Sequence, residues 1–285
     1  MDRRSFIAWA SASAASTASA VPSLKNLVLG GQKALGATKQ QKAVADLVAS
    51  GAWQKLDLTD RIWAVGNALQ GTSYVAATLE QSPESCRVIW SGLDCVTFLE
   101  LCWAVASTKS VDLAKLTQRI TQTRYRHGKV NGYTSRLHYT SDWLHENRED
   151  RRIKLICEEW PESVDWSPEV GFMSRNPDRY PALAADPSLV AKMRSQEEAI
   201  NRMAFKIVPK EAWSKVISRT KPGDFVAFIT RREGLDFSHV GILGGDAGTL
   251  LHASQTKEQV VVQDLVGWGQ ASRTVTGMVV SRALS

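Results

Sequence analysis

The chain has 285 residues, of which 44% are hydrophobic and 22% are charged, and Lys and Arg outnumber Asp and Glu by 35 to 29. These values are ordinary for folded globular proteins and exclude the collagen-like, intrinsically disordered and multi-span membrane classes. The positive surplus is mild and no Lys/Arg block is dense, so we expect no nucleic-acid partner.

The first twenty residues have the pattern of a bacterial export signal. Arg3 and Arg4 precede a soft apolar stretch that carries no charge from position 5 to position 24, as in a twin-arginine leader. Ala18-Ser19-Ala20 offers a small-x-small cleavage site. We therefore expect residues 1–20 to be removed and the mature chain to work in the periplasm or elsewhere outside the cytoplasm, with no membrane span left.

Helical periodicity dominates the next part of the chain. The spacing of apolar residues predicts a surface helix over 38–54 and a second helix that begins near Thr59 and ends at Gly71. A strongly apolar helix is predicted over 96–107, and Ser110 is expected to cap the helix that follows it.

The periodicity changes twice further along the chain. Over 124–202 it weakens, and five prolines separate Arg-, His- and Tyr-rich segments, which indicates a loop-rich insertion with one possible strand over 153–157. From residue 221 onward, short β-rich runs alternate with turns. These runs fit a five-stranded antiparallel meander over 225–230, 239–243, 249–253, 259–263 and 274–281.

Helices first and strands after, without βαβ alternation, predict an α+β fold in which a helical half packs against an antiparallel sheet. We expect a single domain over residues 21–285. Its helical half would cover about 38–150, the insertion about 124–202 and the sheet half about 221–285.

One cysteine, Cys95, lies where a glycine-containing loop meets a well-patterned helix. Unpaired N–H groups and the positive end of the helix dipole favour a thiolate there, so a lowered pKa of Cys95 is predicted. The same N–H groups would stabilise the oxyanion formed when the sulfur attacks an amide carbonyl. Cys102, two turns further on, fits a buried core residue. Whether Cys86 and Cys157 form a disulfide bond is left open by the sequence.

Two histidines occupy corresponding places on neighbouring predicted strands, His239 and, thirteen residues later, His252. In an antiparallel pair they would be cross-strand neighbours on one face. His239 would then exchange a proton with Cys95, and His252 would fix the orientation and tautomer of the His239 ring. The chain has no HExxH, GxSxG, P-loop or GxGxxG motif. A zinc site built from the same three side chains is the alternative.

Four separated motifs resemble the papain-like NlpC-type cell-wall hydrolases. They are Leu-Asp-Cys-Val-Thr-Phe at 93–98, Lys-Pro-Gly-Asp at 221–224, Ser-His-Val-Gly-Ile at 238–242 and Leu-His-Ala-Ser at 251–254. Gly-Thr-Ser-Tyr at 71–74 resembles the Gly-Thr-Pro-Tyr segment that precedes the cysteine in that superfamily. Further segments resemble its N-acetylmuramoyl-L-alanine amidase-like branch, at 74–80, 136–143 and 207–210.

The resemblance implies a papain-like fold and a Cys-His-His triad, which falls on Cys95, His239 and His252. It also implies that Tyr74 supports the oxyanion or the substrate. The branch implies hydrolysis of the amide between N-acetylmuramic acid and L-alanine, through an acyl-enzyme and without a metal or cofactor. Its preferred substrates are anhydro-muropeptide fragments of peptidoglycan.

The segment at 136–143 combines a bidentate donor, aromatic rings and a carboxylate, a mixture suited to sugar hydroxyls and peptide carboxylates. A solvated helix start is the alternative interpretation. Besides Tyr74, the candidate oxyanion- or substrate-binding residues are Asp94, Arg136, His138, Tyr139, Asp142, Ser238 and Ser254. Two other functions remain open, namely a γ-D-glutamyl–diamino acid endopeptidase with the same triad and a catalytically silent wall-binding module.

Overall fold

A computed structural model describes residues 38–284, in which helices pack against an antiparallel sheet. The expected export signal at 1–20 lies outside this part of the chain. No helix between 38 and 284 has both the length and the apolar character needed to cross a bilayer. In chain order the α-helices of this part are α1 Lys39–Ala49, α2 Leu58–Ala68, α3 Cys95–Thr108, α4 Leu113–Arg124, α5 Thr140–Glu149, α6 Phe172–Arg175, α7 Pro181–Ala185, α8 Pro187–Ile200, α9 Trp213–Val216 and α10 Leu265–Ala271.

Between residues 38 and 284 the strands form a single sheet with the order β2-β3-β8-β4-β5-β6-β7, and β1 also pairs with β8. Every pairing between these strands is antiparallel. The predicted α+β class with an antiparallel sheet is therefore confirmed. The strands are β1 Ile153–Lys154, β2 Val164–Trp166, β3 Phe205–Pro209, β4 Pro222–Thr230, β5 Phe237–Gly244, β6 Thr249–Ser254, β7 Gln259–Asp264 and β8 Val275–Ala283.

The predicted five-stranded meander is wrong in its last strand. β4, β5, β6 and β7 are successive neighbours, but β8 lies between β3 and β4. Nearly every residue of β8 is buried, so both faces of the sheet are covered at this strand, as is typical of a strand in the interior of a sheet. Helix α10, between β7 and β8 in the chain, precedes the return of the chain to the other side of the sheet.

The segment expected to be loop-rich also contains four α-helices, α5 to α8, joined by loops and short 3₁₀ turns. Pro181 and Pro187 are the first residues of α7 and α8. The missing N–H of proline is harmless there, so these prolines begin helices instead of breaking them. The helices bury a second apolar cluster of their own, made of Tyr133, Tyr139, Val170, Met173, Tyr180, Leu183, Met193 and Ile200.

Two smaller expectations also change, and the open question about Cys86 and Cys157 has an answer. Asp112, not Ser110, caps α4, because the Asp112 carboxylate accepts from the Lys115 amide at 3.0 Å. The strand expected over 153–157 stops at β1 and gives way to a 3₁₀ turn. All four cysteines are free thiols. Cys86 lies beside α4, whereas Cys157 packs between β3 and β8, so the two thiols are on different elements.

Candidate active site

The start of α3 is fixed by a capping box. The Thr97 amide donates to Asp94 Oδ1 at 2.8 Å, and the Asp94 amide donates to Thr97 Oγ1 at 2.9 Å. Before the cap, Gly92 has a φ of +71°, and a Cβ there would lie 2.9 Å from a methyl carbon of Val75. Glycine therefore allows the loop to turn into the helix, and Cys95 becomes the first helical residue.

The Cys95 side chain lies in the core, since the residue keeps only 2% of its surface exposed. The amides of Val240, Cys95 and Val96 contact the sulfur and lower its pKa, but burial outweighs them and, with the nearby Asp94 carboxylate, raises the pKa of Cys95 to about 12. The lowered pKa predicted from the helix N-terminus is therefore wrong for the free protein. Cys95 is a neutral thiol at neutral pH.

The two histidines on β5 and β6 are in direct contact. His239 Nε2 lies 2.6 Å from His252 Nδ1, and His252 Nε2 lies 2.9 Å from Gln263 Oε1 on β7. Since the Val240 amide contacts the Cys95 sulfur, the backbone of the adjacent His239 also lies close to it. Within residues 38–284, the structure shows no hydrogen bond between the thiol and either imidazole ring.

The hydrogen-bond partners fix the tautomers of both rings. An amide oxygen only accepts, so His252 carries its proton on Nε2 and presents the Nδ1 lone pair to His239. His239 then donates from Nε2, which leaves its Nδ1 unprotonated. Gln263 was not among the predicted site residues. The one feature that could have indicated Gln263 is its position on β7, the strand that pairs with β6.

Aromatic rings enclose the histidines. Phe228 stacks on His239 with ring centroids 6.2 Å apart, and Trp268 lies 5.5 Å from the same ring. This burial lowers the pKa of His239 well below its ordinary range and the pKa of His252 to about 4. Both imidazoles are therefore neutral at neutral pH. The part of the chain described here contains no group of three His, Cys, Asp or Glu side chains placed to hold a metal ion.

Tyr74 lies beside the cysteine, although twenty residues separate them in the chain. Its amide donates to Glu258 O at 2.8 Å, and the residue forms a bridge with Leu93 in the loop before α3. Burial raises the pKa of Tyr74, and the Cys95 sulfur in its thiolate form and the Asp94 carboxylate raise it further. The hydroxyl therefore keeps its proton and can donate a hydrogen bond near the sulfur.

A cavity of about 100 Å³ lies beside the first turn of α3, although Cys95, His239 and His252 do not line it. Asp94 and Val96, on either side of Cys95, line one wall, and Arg136 and His138 line another. Arg136 already pairs with Glu80 at 2.7 Å, and His138 Nε2 lies 2.9 Å from the Tyr133 carbonyl. Burial lowers the pKa of His138 well below its ordinary range, so the ring is neutral.

Three other predicted binding residues, Tyr139, Asp142 and Ser254, do not line this cavity. Their polar atoms bind instead to Glu197, Arg126 and the Lys257 amide, respectively. These contacts hold the second apolar cluster, α5 and the turn after β6, so the structure gives the three residues supporting positions. Asp94 lines the cavity, but Oδ1 of its carboxylate already accepts the hydrogen bond from the Thr97 amide that caps α3. Ser238 is partly exposed next to His239.

Gly241 keeps β5 and β6 close enough for the histidines to meet. A Cβ at this position would lie 2.6 Å from Leu250 Cδ1 and 3.2 Å from His252 Cβ. Replacing Gly241 by alanine should push the two strands apart, lengthen the His239–His252 contact and lower kcat/KM at least about tenfold. It should also lower the free energy of unfolding by about 1–3 kcal/mol.

Steady-state kinetics and denaturant unfolding of the Gly241→Ala variant test this expectation. Gly51→Ala is the matched control, because no atom of the described part of the chain lies within 4 Å of a Cβ at Gly51. If both variants keep wild-type kcat/KM, the spacing of β5 and β6 does not govern the site.

Comparison with known proteins places the chain in a family. Residues 64–274 match the AmiA-like family model, N-acetylmuramoyl-L-alanine amidase-like. The search of curated proteins finds no match. Among solved structures, an N-acetylmuramoyl-L-alanine amidase from Bacteroides uniformis is 30% identical, with a TM-score of 0.76 over 80% of this chain and 99% of that one.

Two further structures are similar. A Bacteroides fragilis protein provisionally named a xylanase is 29% identical, with a TM-score of 0.67 over 76% of this chain and 98% of that one. Legionella pneumophila LPG0564 is 19% identical, with a TM-score of 0.61 over 86% of this chain and 94% of that one, and at that identity it shows only the fold. With nearly three quarters of its length matched by one family model, the chain belongs to the AmiA-like family of N-acetylmuramoyl-L-alanine amidase-like proteins.

Proposed function

We propose that this protein hydrolyses the amide between N-acetylmuramic acid and L-alanine in peptidoglycan fragments, with Cys95 as the nucleophile. Two observations carry the proposal. Gln263, His252 and His239 form a hydrogen-bonded row, and the amide of Val240, the residue after His239, contacts the sulfur of Cys95 at a helix N-terminus. Membership of the amidase-like family and the motif resemblance to papain-like NlpC-type hydrolases support the same reaction.

The neutral charge states suggest that proton transfer and attack occur together. As Cys95 Sγ bonds to the lactyl carbonyl carbon, its proton passes to Nδ1 of His239. His252 accepts the hydrogen bond from His239 Nε2 and so stabilises the imidazolium that forms. The C–N bond then breaks, and His239 returns the proton to the departing L-alanine nitrogen. This leaves an acyl-enzyme with a thioester at Cys95.

Hydrolysis of the thioester reverses the proton movements. A water molecule gives one proton to His239 Nδ1 as its oxygen bonds to the acyl carbon. The C–S bond breaks, the proton returns to the sulfur, and the muramic acid leaves with a free carboxyl group. In both tetrahedral intermediates the Cys95 amide and the protonated Tyr74 hydroxyl are the donors that we assign to the oxyanion.

The small cavity limits what binds inside the protein. A volume of about 100 Å³ holds several water molecules. We assign this cavity to the lactyl or alanyl methyl end of the scissile amide. Because Cys95 is 2% exposed, the surrounding side chains must separate when substrate binds. We also propose the anhydro form as the preferred sugar and a location outside the cytoplasm, on the basis of the motif resemblance and the pattern of residues 1–20.

Digestion of defined anhydro and non-anhydro muropeptides, followed by mass spectrometry, tests the function. Free muramyl sugar and an intact peptide beginning with L-alanine support the proposal. A muramyl dipeptide instead identifies the endopeptidase, and no turnover identifies a wall-binding module. Cys95→Ala is the control for contaminating activity. Xylan oligosaccharides are the control for the activity named for the B. fragilis neighbour, and we expect no products from them.

A further inference from the structure

A second concave surface lies at the opposite end of α3 from Cys95. This groove has a volume of about 720 Å³ and is formed by α2, the last turn of α3 and α4. Helix α3 has 14 residues, so the groove is about 20 Å from the cysteine at 1.5 Å per residue. A ligand held there would not touch the reacting atoms.

The groove carries a surplus of positive charge. Of the residues that the structure describes, four cationic side chains line the groove, and Asp57 is the one carboxylate among them. Asp57 caps α2, since its Oδ1 accepts from the Asp60 amide at 2.8 Å and from Thr59 Oγ1 at 2.9 Å. Within residues 38–284 no ion pair involves any of the four cations, which are Arg61, Lys109, Lys115 and Arg119.

Two of the cations are held in place by aromatic rings. The Arg61 guanidinium lies 5.6 Å from the Trp53 ring centroid, and its Nε donates to the Trp53 carbonyl at 3.3 Å. The Arg119 guanidinium lies 5.2 Å from the Trp103 ring centroid. These contacts fix the guanidinium groups before any ligand arrives, which lowers the entropy lost on binding.

Arg119 has an unsatisfied hydrogen-bond donor within the described residues. Its Nη2 donates to Ser107 Oγ at 3.3 Å, but its buried Nε has no partner among residues 38–284. Burial and the nearby charge of Arg152 lower the pKa of Arg119. An anion in the groove would supply both an acceptor and an opposite charge. The α3 C-terminus favours a cation at Lys109 through the helix dipole, but that explanation does not extend to Arg61, Lys115 or Arg119.

We propose that this groove is an exosite for oxyanions, in which Arg61, Lys109, Lys115 and Arg119 bind carboxylate or phosphate groups of an anionic ligand. Lysine and arginine side chains offer only hydrogen-bond donors, and they bind oxyanions more strongly than neutral partners. This site does not depend on the proposed hydrolysis, because its ligand is bound at a distance from Cys95.

Calorimetric titration of the full chain at low ionic strength tests the exosite. Inorganic pyrophosphate serves as the phosphate probe and citrate as the carboxylate probe. The variant Lys115→Gln/Gln118→Glu makes the groove more negative through two exposed positions of α4. The matched control Ala191→Glu/Lys192→Gln makes the same charge change on exposed positions of α8.

We expect saturable binding of at least one probe, weakened about tenfold or more in the groove variant and less than about twofold in the control. Binding of pyrophosphate alone assigns the site to phosphate, binding of citrate alone to carboxylate, and binding of both to either oxyanion. Absence of saturable binding, or equal weakening in the two variants, would overturn the proposal. Turnover of muropeptides is a separate measurement, so failure of the exosite is distinguishable from failure of the proposed function.

Discussion

Replacing Cys95 by alanine is expected to lower kcat/KM for muropeptide hydrolysis by at least about 10³-fold, because the acyl bond then has no sulfur on which to form. Replacing His239 by alanine should cause a loss of similar size, since the thiol would lose the base that removes its proton. The informative measurement is the double variant. If the two side chains act in one step, the double variant should lose no more than the worse single variant.

The comparison of the single variants with the double variant matters because the resting structure shows no hydrogen bond between the thiol and an imidazole in residues 38–284. Non-additive losses would show that the two groups nevertheless act as a unit in the transition state. His127→Asn is the control, because the His127 side chain is 78% exposed and asparagine tolerates its positive φ of 53°. Independent, multiplicative losses would contradict the assigned roles. Circular dichroism of each variant checks that the fold persists.

The parts of the site that could be predicted are those with local signals. The Asp94–Thr97 cap and the apolar run after it fix the start of α3, so the position of Cys95 follows from about ten residues of sequence. The contact between His239 and His252 follows from a short connection between two adjacent antiparallel strands. Both inferences need only neighbouring residues.

Features that depend on distant parts of the chain could not be predicted in this way. The position of β8 beside β4 is set by pairing between strands that are far apart in the sequence. Gln263 contacts His252 only because β7 pairs with β6 in one register. The pKa of Cys95 depends on competition between local N–H groups and burial by the whole core, and only the first of these can be recognised in the sequence.

The raised pKa of Cys95 has a measurable consequence for alkylation. A thiol with a pKa of about 12 is almost entirely protonated below pH 9, and its thiolate fraction grows tenfold with each pH unit. The rate of iodoacetamide alkylation at Cys95, followed by peptide mass spectrometry, should therefore rise about tenfold per unit between about pH 6 and 9. A thiolate–imidazolium pair would instead give a rate that does not change over this range.

The unfolded protein supplies the reference for this measurement. In urea the Cys95 thiol should return to a pKa of about 8.5, so its alkylation rate should level off above that pH while the native rate continues to rise. His239→Ala should leave the native slope unchanged, because burial and Asp94 raise the pKa of Cys95. A native rate that is flat from low pH would mean that the thiol is already ionised, and His239 would then act first as an acid on the leaving amine. A steady rise means that His239 must accept the proton of Cys95 during the attack.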